Sequence, residues 1–393
     1  MFATDFAQQP IETFFPEDMF HPRHYVAVRK PVMEAGTLPN WCYTSERFYR
    51  REVERIFMKV WNFVDRVDRI PNPGDYFTFD YVGVPVIIMR GKDGVVRAFS
   101  NSCRHRGSRL VEGEGNCKAI RCPYHGWTYA TEGNLLVAAE MEDALGFDKS
   151  KLGLVPIRLE TWGGFIFINF DNDAISLREY LGDLVDNTEA YNLDDLVCVR
   201  RNAVELPINW KLFFENFAEQ YHIPYLHGGS LNRQKRQMHP PEDTHGQYEA
   251  LYVKHPGSRM LLMGDTGFPP IEGINGRAAE GTFYPSLYPS TSIGMCIDGM
   301  WWVRTDPLGP HKSRLTIGFC FPRRTAARAD FDDVIQRYYK RMDAVFPEDT
   351  AACELQQRGL MSPFHRAGRI GRLEILVHRI NNWVLDRVIG NQA

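Results

Sequence analysis

Apolar residues between positions 210 and 217 fall at Trp210, Phe213, Phe214 and Phe217, the i, i+3, i+4, i+7 spacing of a helix with one face in a core. The spacing predicts a helix there, stopped by Pro224. A second amphipathic helix is predicted over Ser45 to Trp61, capped by Ser45 and burying Phe48, Val53, Ile56, Phe57 and Val60. After a turn at Pro71 to Gly74, the period shortens to two. The runs Tyr76 to Tyr81, Val84 to Arg90 and Val95 to Ser100, with a turn at Gly91 to Gly94, predict a small antiparallel β domain. The continuous apolar run Trp162 to Asp171 reads as a buried strand. Helical period returns from Asp330 to Val345, with Phe331, Val334, Ile335, Tyr338, Met342 and Val345 on one face. Pro347 is expected to open a further helix closed by Gly359, and Leu373 to Val388 a last one, packed through Ile375, Leu376, Ile380, Trp383 and Val384. Residues 1 to about 45 lack a period and are expected to lie irregularly over the folded body.

With 44% hydrophobic residues over 393 positions, the chain can bury a large core and is expected to hold two domains. A net charge of −3 excludes a general binder of nucleic acid or anionic membrane, since both need clustered positive charge. No apolar run is long enough to span a bilayer, and the opening residues MFATDFAQQP lack a secretory pattern, so the chain is read as cytoplasmic. Eight scattered cysteines suggest no disulfide framework; in a reducing compartment a close-set group of them points to metal.

One such group is Cys103, His105, Cys122 and His125, a C-x-H and a C-x-x-H separated by sixteen residues. Four such ligands could hold zinc. Common zinc modules, however, pair like with like on each knuckle, whereas a Rieske [2Fe–2S] cluster takes two cysteines on one iron and two histidines on the other. Gly107, Pro123, Gly126 and Trp127 suit tight loops that shield such a cluster. Cys117, between the pairs, reads as an ordinary loop thiol. A second constellation is Glu219, His222 and His227. On a helix Glu219 and His222 would share a face, and beyond Pro224 the chain can bring His227 back to His222. Two imidazoles with one carboxylate and open positions suit a non-haem iron that activates oxygen. Equally, such histidines are often core residues satisfied by hydrogen bonds.

Together, C-x-H…C-x-x-H-G-W and the later E-N-F-x-E-x-Y-H-x-x-x-x-H resemble the oxygenase component, or alpha subunit, of the Rieske non-haem iron oxygenases. The resemblance covers nearly the whole chain. It implies an α+β fold: an N-terminal segment (1–44), an antiparallel β Rieske domain (45–161) and a helix-grip catalytic domain (162–393) whose curved antiparallel sheet surrounds a mononuclear Fe(II). Trp162 to Asp171 would then carry the chain back to the catalytic domain. The resemblance puts the third iron ligand, beside His222 and His227, at Asp349, with Glu348 as the alternative. Taken by itself, Asp349 is an ordinary acid in a helical first turn. Glu219 corresponds to an aspartate that, in many members, links a Rieske histidine of one subunit to an iron-binding histidine of the next. The implied route is His125 to Glu219 to His222, which calls for a cyclic homotrimer. Electrons would come from NAD(P)H through a reductase, with or without a ferredoxin, because the chain has no dinucleotide fingerprint of its own.

Glutamate at position 219 also resembles the branch acting on quaternary ammonium compounds such as carnitine, choline and glycine betaine. The expected function is therefore a terminal oxygenase that hydroxylates such a substrate with O₂, with or without C–N cleavage. Two alternatives stay open: an oxygenase of aromatic acids, and a non-catalytic metal-binding or electron-transfer protein. Residues 228 to 310 are expected to form much of the pocket wall, with Tyr284, Tyr288, Met295, Met300, Trp301 and Trp302 either as an aromatic cage or as core. Arg233, Lys235 and Arg236 read either as a cluster that attracts a carboxylate or, more commonly for such a run, as a solvated loop. His239, His245 and His255 have no metal spacing.

Overall fold

The computed structural model describes residues 11–231 and 237–390. The chain forms two units, Lys59–Leu177 and Met1–Met58 with Arg178–Ala393. In the first lie strands β1 (Asn62–Arg66), β2 (Asp75–Tyr81), β3 (Val84–Arg90), β4 (Val96–Ser100), β5 (Glu114–Asn116), β6 (Ile120–Arg121), β7 (Thr128–Tyr129), β8 (Leu135–Val137), β9 (Pro156–Trp162) and β10 (Phe165–Asn169). They pair as a seven-stranded sheet, β1-β10-β9-β4-β3-β2-β5, and a three-stranded one, β6-β7-β8. Strand β3 lies inside the larger sheet, between β4 and β2, and its alternating side chains feed two cores. Val86 and Ile88 pack with Phe77, Val64, Ile166 and Ile168. Ile87 and Met89 pack with Phe99, Cys103, Cys122 and Trp127, so one face of the strand directly supports the two cysteine loops.

Both expected domain boundaries shift. The run Trp162 to Asp171 is a buried strand, as its composition predicts, but it belongs to the first unit. The turn at Gly163 and Gly164, both at positive φ, folds β10 straight back on β9, and β10 then pairs with β1. At the other end, the Glu46–Glu52 helix and the π-helical turn Val53–Phe57 belong to the second unit. Ser45 caps this helix, accepting from the N–H groups of Arg47 and Phe48 at 3.1 and 3.2 Å. Phe57 packs edge-on against Trp210, with ring centroids 5.1 Å apart. Glu52, a polar residue on the expected apolar face, is fully buried because it meets the buried Lys211 at 2.5 Å.

The second unit contains β11 (Leu196–Leu206), β12 (Gln237–Met238), β13 (Tyr248–Lys254), β14 (Gly281–Leu287), β15 (Thr291–Met295), β16 (Met300–Gly309) and β17 (Lys312–Pro322). They form one antiparallel sheet in the order β11-β17-β16-β15-β14-β13-β12. The helix Trp210–Phe217 packs on it through Phe214 against Tyr288 and Phe217 against Tyr284, and the long helix Phe331–Leu360 packs through Tyr339 against Phe319. That long helix is one element of 30 residues where two are expected, with Pro347 inside it. The proline ring is exposed and removes a single backbone hydrogen bond, while the buried face from Ile335 through Val345 to Cys353 and Leu360 is uninterrupted. Gly359 lies in the last turn, and Met361 follows as the cap. The C-terminal helix runs from Ile375 to Val388.

Candidate active site and cluster site

In the first unit, two loops of matching design carry the Cys and His residues. In one, Gly107 at positive φ donates its N–H to the carbonyl of Cys103 at 2.9 Å; in the other, Gly126 does the same to Cys122 at 3.1 Å. Cys103 and Cys122 are buried, whereas His125 is exposed and His105 half-buried. The imidazoles sit together, 4.6 Å between ring centroids, and His105 stacks on Trp127 at 4.9 Å. Among the described residues Nδ1 of His105 is buried without a partner, as a nitrogen kept for a ligand bond would be. The Tyr129 hydroxyl lies 3.3 Å from Cys103 Sγ and accepts from the N–H of Arg104. Burial works to raise the Cys122 thiol, but N–H groups of Tyr124 and His125 and neighbouring side chains outweigh it and bring its pKa down, as a metal-binding thiolate needs.

These four side chains do not converge on a single point. Among the described residues, the three His, Cys or carboxylate donors that lie within 4.8 Å of one another are those of His222, His227 and Asp349. Tetrahedral zinc would draw all four loop ligands to one centre; a thiolate pair inside and an imidazole pair outside fit the two irons of a [2Fe–2S] cluster.

In the second unit, Asn209 caps the Trp210–Phe217 helix by accepting from the N–H of Lys211 at 3.1 Å. The helix ends earlier than expected, with Ala218 as its cap, so Glu219 and His222 lie in the following turn instead of on a helical face. They meet nonetheless. Glu219 folds back on its own turn, accepting from the N–H groups of Tyr221 and His222 and touching His222 Nδ1 at 2.5 Å. Pro224 starts the short helix Ile223–Leu226 instead of ending the previous one, because its missing N–H costs nothing in a first turn. His227 caps the end of that helix, buried, and donates its N–H to the carbonyl of Ile223 at 3.1 Å.

Both imidazoles are held in the same way. His227 Nδ1 lies 2.6 Å from Glu348 Oε2, which also accepts from Ser230 Oγ at 2.8 Å. With Nδ1 of each ring turned to its own carboxylate, Nε2 of each faces Asp349 Oδ1, at 2.9 Å for His227 and 3.6 Å for His222. Asn216 donates to the same Asp349 oxygen at 3.1 Å. A carboxylate behind an imidazole fixes which nitrogen keeps its lone pair and makes it more basic. The arrangement therefore separates the two acids that the sequence leaves open: Asp349 shares the common point, and Glu348 stands behind His227. Burial pulls the His227 pKa down, yet Asp349 and Glu348 together carry it above its usual value, the mark of a site with surplus negative charge. A dication suits it.

The three converging donors open on a cavity of about 130 Å³. Its walls are Phe213 and Phe217 from the helix, Tyr284, Trp301, Val303 and Ile317 from the sheet, and Arg341, Met342, Val345 and Phe346 from the long helix. Trp301 enters the cavity because the strand alternates and because Gly294 opposite it has no side chain; a Cβ there would collide with the indole. Of the other wall candidates, Tyr288 stacks on Trp383 at 4.1 Å, and Met295, Met300 and Trp302 are buried away from the cavity. Arg233, Lys235 and Arg236 lie outside the described residues. His255 donates or accepts with Thr282 at 2.8 Å, a core role. Sequence reading missed Arg259 and Arg341 in the wall, since neither stands in a motif.

A cluster domain followed by a sheet-and-helix domain with a His-His-Asp centre defines a terminal oxygenase of the Rieske non-haem iron class. Residues 60–147 match the Rieske [2Fe-2S] domain, and residues 193–390 match the ring hydroxylating alpha subunit (catalytic domain). The chain belongs to this family. It is 40% identical over 345 residues to the carnitine monooxygenase oxygenase subunit of Escherichia coli (strain K12), covering 86% of this chain and 88% of that protein. It is 31% identical over 361 residues to the chloroplastic choline monooxygenase of Spinacia oleracea, covering 90% and 79%. Among solved structures, the quaternary ammonium Rieske monooxygenase CntA in complex with L-carnitine superposes with a TM-score of 0.73 at 28% identity, over 90% of this chain and 96% of that one. Naphthalene 1,2-dioxygenase from Rhodococcus sp. shares the fold, with a TM-score of 0.75 at 22% identity over 91% and 95%. The protein is thus an O₂-using oxidoreductase whose cofactors are the Rieske cluster and a mononuclear iron, with electrons supplied through a reductase or ferredoxin partner. Among the described residues no helix is long and apolar enough to cross a membrane.

Proposed function

We propose that this oxygenase hydroxylates a small quaternary ammonium compound in the cavity beside His222, His227 and Asp349. The carrying observation is the cavity itself, where two carboxylate-backed imidazoles and one aspartate converge at an aromatic wall. Phe217 and Tyr284 stand together along it, 6.0 Å between centroids, and aromatic faces attract an ammonium group. The two relatives named above that act on carnitine and choline support the same substrate class. Bound iron supplies O₂ reduction and oxygen transfer. The protein holds the ligands in one tautomer, keeps apolar walls around the reacting carbon and places it. In the balanced reaction, one oxygen atom of O₂ enters a C–H bond and the other leaves as water, consuming two protons and two electrons from NAD(P)H through the reductase. Hydroxylation beside nitrogen then breaks the C–N bond to give an amine and an aldehyde.

The same reading assigns His222, His227 and Asp349 to the iron and Cys103, His105, Cys122 and His125 to the cluster. Glu219 carries electrons from His125 of one subunit to His222 of the next in a homotrimer. His125 is exposed beside the exposed Tyr124, and Tyr221 and Tyr225 are exposed beside Glu219, surfaces suited to burial by another copy. The free cysteines accord with a reducing cytoplasm. The test is a single turnover of reduced, iron-loaded protein with O₂, given separate pools of quaternary ammonium compounds and aromatic acids, with products read by mass spectrometry. Aldehyde or a singly oxygenated product from the first pool supports the reading. A diol or ring-hydroxylated product from the second alone overturns it.

A further inference from the structure

Arg341 lies on the long helix, on the face that carries Val345 and Asp349 at i+4 and i+8. Two helical turns separate it from the aspartate, ~12 Å along the axis. Its side chain lines the cavity and is only 6% exposed. Among the described residues the guanidinium has no carboxylate partner: Nε is buried without an acceptor, and Nη1 meets the sulfur of Met342 at 3.9 Å. Trp301 offers its face at 5.2 Å. Other buried cations of the same unit are treated differently. Lys211 has Glu52 at 2.5 Å, and Arg304 has Asp306 at 2.7 Å. An arginine stays charged when buried, and a charge held out of water without a counter-ion is costly unless something else supplies one. The planar fork of donors is suited to a carboxylate, and its face rests on an aromatic ring that fixes its plane.

We propose that Arg341 is the carboxylate-binding residue of this cavity, so that the substrate is a zwitterion with its ammonium end toward the acidic metal centre and its carboxylate toward the arginine. The assignment rests on the reading of this cavity as the substrate site. The helix then acts as a ruler, with the oxygen-activating ligand Asp349 at one station and the anchor two turns away. Arg259 stands in the same wall. A substrate without a carboxylate leaves Arg341 unpaired in the complex, which sets the discrimination between otherwise similar ammonium compounds.

The experiment is titration calorimetry on the full protein with both metal centres loaded, without O₂, using three probes. γ-Butyrobetaine carries both charged ends, choline carries the ammonium alone, and benzoate carries the carboxylate alone. A charged hydrogen-bonded pair lost in R341Q is expected to weaken γ-butyrobetaine about 10- to 100-fold while choline changes less than about twofold. R341K, which keeps the charge but not the fork, falls between. The visible spectrum of the cluster and the melting temperature are followed in every variant, and R341K serves if R341Q does not fold. An unchanged affinity for γ-butyrobetaine in both variants, or an equal loss for choline, overturns the assignment. If wild-type protein binds choline as well as γ-butyrobetaine, the quaternary ammonium reading stands and the Arg341 assignment falls. If it binds only benzoate, and does so through Arg341, the anchor stands and the quaternary ammonium reading falls.

Discussion

Glu348→Ala separates a residue that orients a ligand from a residue that is one. In the structure Glu348 reaches His227 Nδ1 at 2.6 Å, while Asp349 reaches Nε2 of the same ring at 2.9 Å. Loss of a carboxylate behind a metal-bound imidazole lowers affinity by about 10- to 100-fold, or about 1.4 to 2.7 kcal/mol. The side chain of Glu348 is 34% exposed and that of His227 2%, so water can replace part of the lost bond and the effect belongs near the lower figure, about tenfold. Ser230, left without its acceptor, can turn its hydroxyl to the solvent that enters. The assay is anaerobic Fe(II) competition against a chelator, with cluster absorbance confirming an intact first unit. Glu348→Gln, whose amide oxygen still accepts from Nδ1–H, should bind within a few-fold of wild type, whereas Asp349→Ala should lose the iron altogether. If Glu348→Ala is as empty as Asp349→Ala, or if Asp349→Ala keeps its iron, the roles given to the two acids are wrong.

Three further outcomes are expected. Glu219→Ala should still accept electrons at the cluster while turnover falls sharply; excess iron in the assay offsets the loosened His222, and full activity in that variant would sink the proposed route. Lys211→Met should lower stability by about 3–5 kcal/mol, because it strands the fully buried Glu52, and Glu52→Gln in the same chain should restore most of it; thermal melting of both variants checks this. Burial, helped by the charge of Arg259, pushes His255 down to about 4 from its ordinary 6.5. The folded state thus binds fewer protons than the unfolded one, so this contribution is complete above pH 6.5 and is lost as pH falls from 6.5 toward 4. His255→Gln should flatten the decline of melting temperature across that window.

Much of the site is legible because its parts are close in sequence. Cys103 and His105, Cys122 and His125, and His222 and His227 each come from one loop or turn, and their spacing states which donors can share a centre. Even so, local period misjudged how they are held. The Trp210–Phe217 helix stops before Glu219, yet the acid still meets His222, because a carboxylate two or three residues before a free N–H folds back on it as readily in a turn as on a helix. Pro347 offered a strong local signal to break the helix, and it was overridden by an apolar face that continues on both sides of it.

By itself the sequence determined the order of the two domains, the two Cys-His loops, the histidine pair and the class of chemistry, since each is written in contiguous motifs and short-range periods. Only the tertiary structure gave Asp349 and Glu348 different places, the first beside Nε2 of His227 and the second, 121 residues beyond that histidine, beside Nδ1. Neighbouring positions on a helix point about a third of a turn apart, so one acid enters the shared centre and the other goes behind the ring. The same holds for Lys211 with Glu52 and for Arg341 in the cavity wall: a lone charge in a sequence carries no record of what it will face, and the fold alone supplies the partner or leaves it for a ligand.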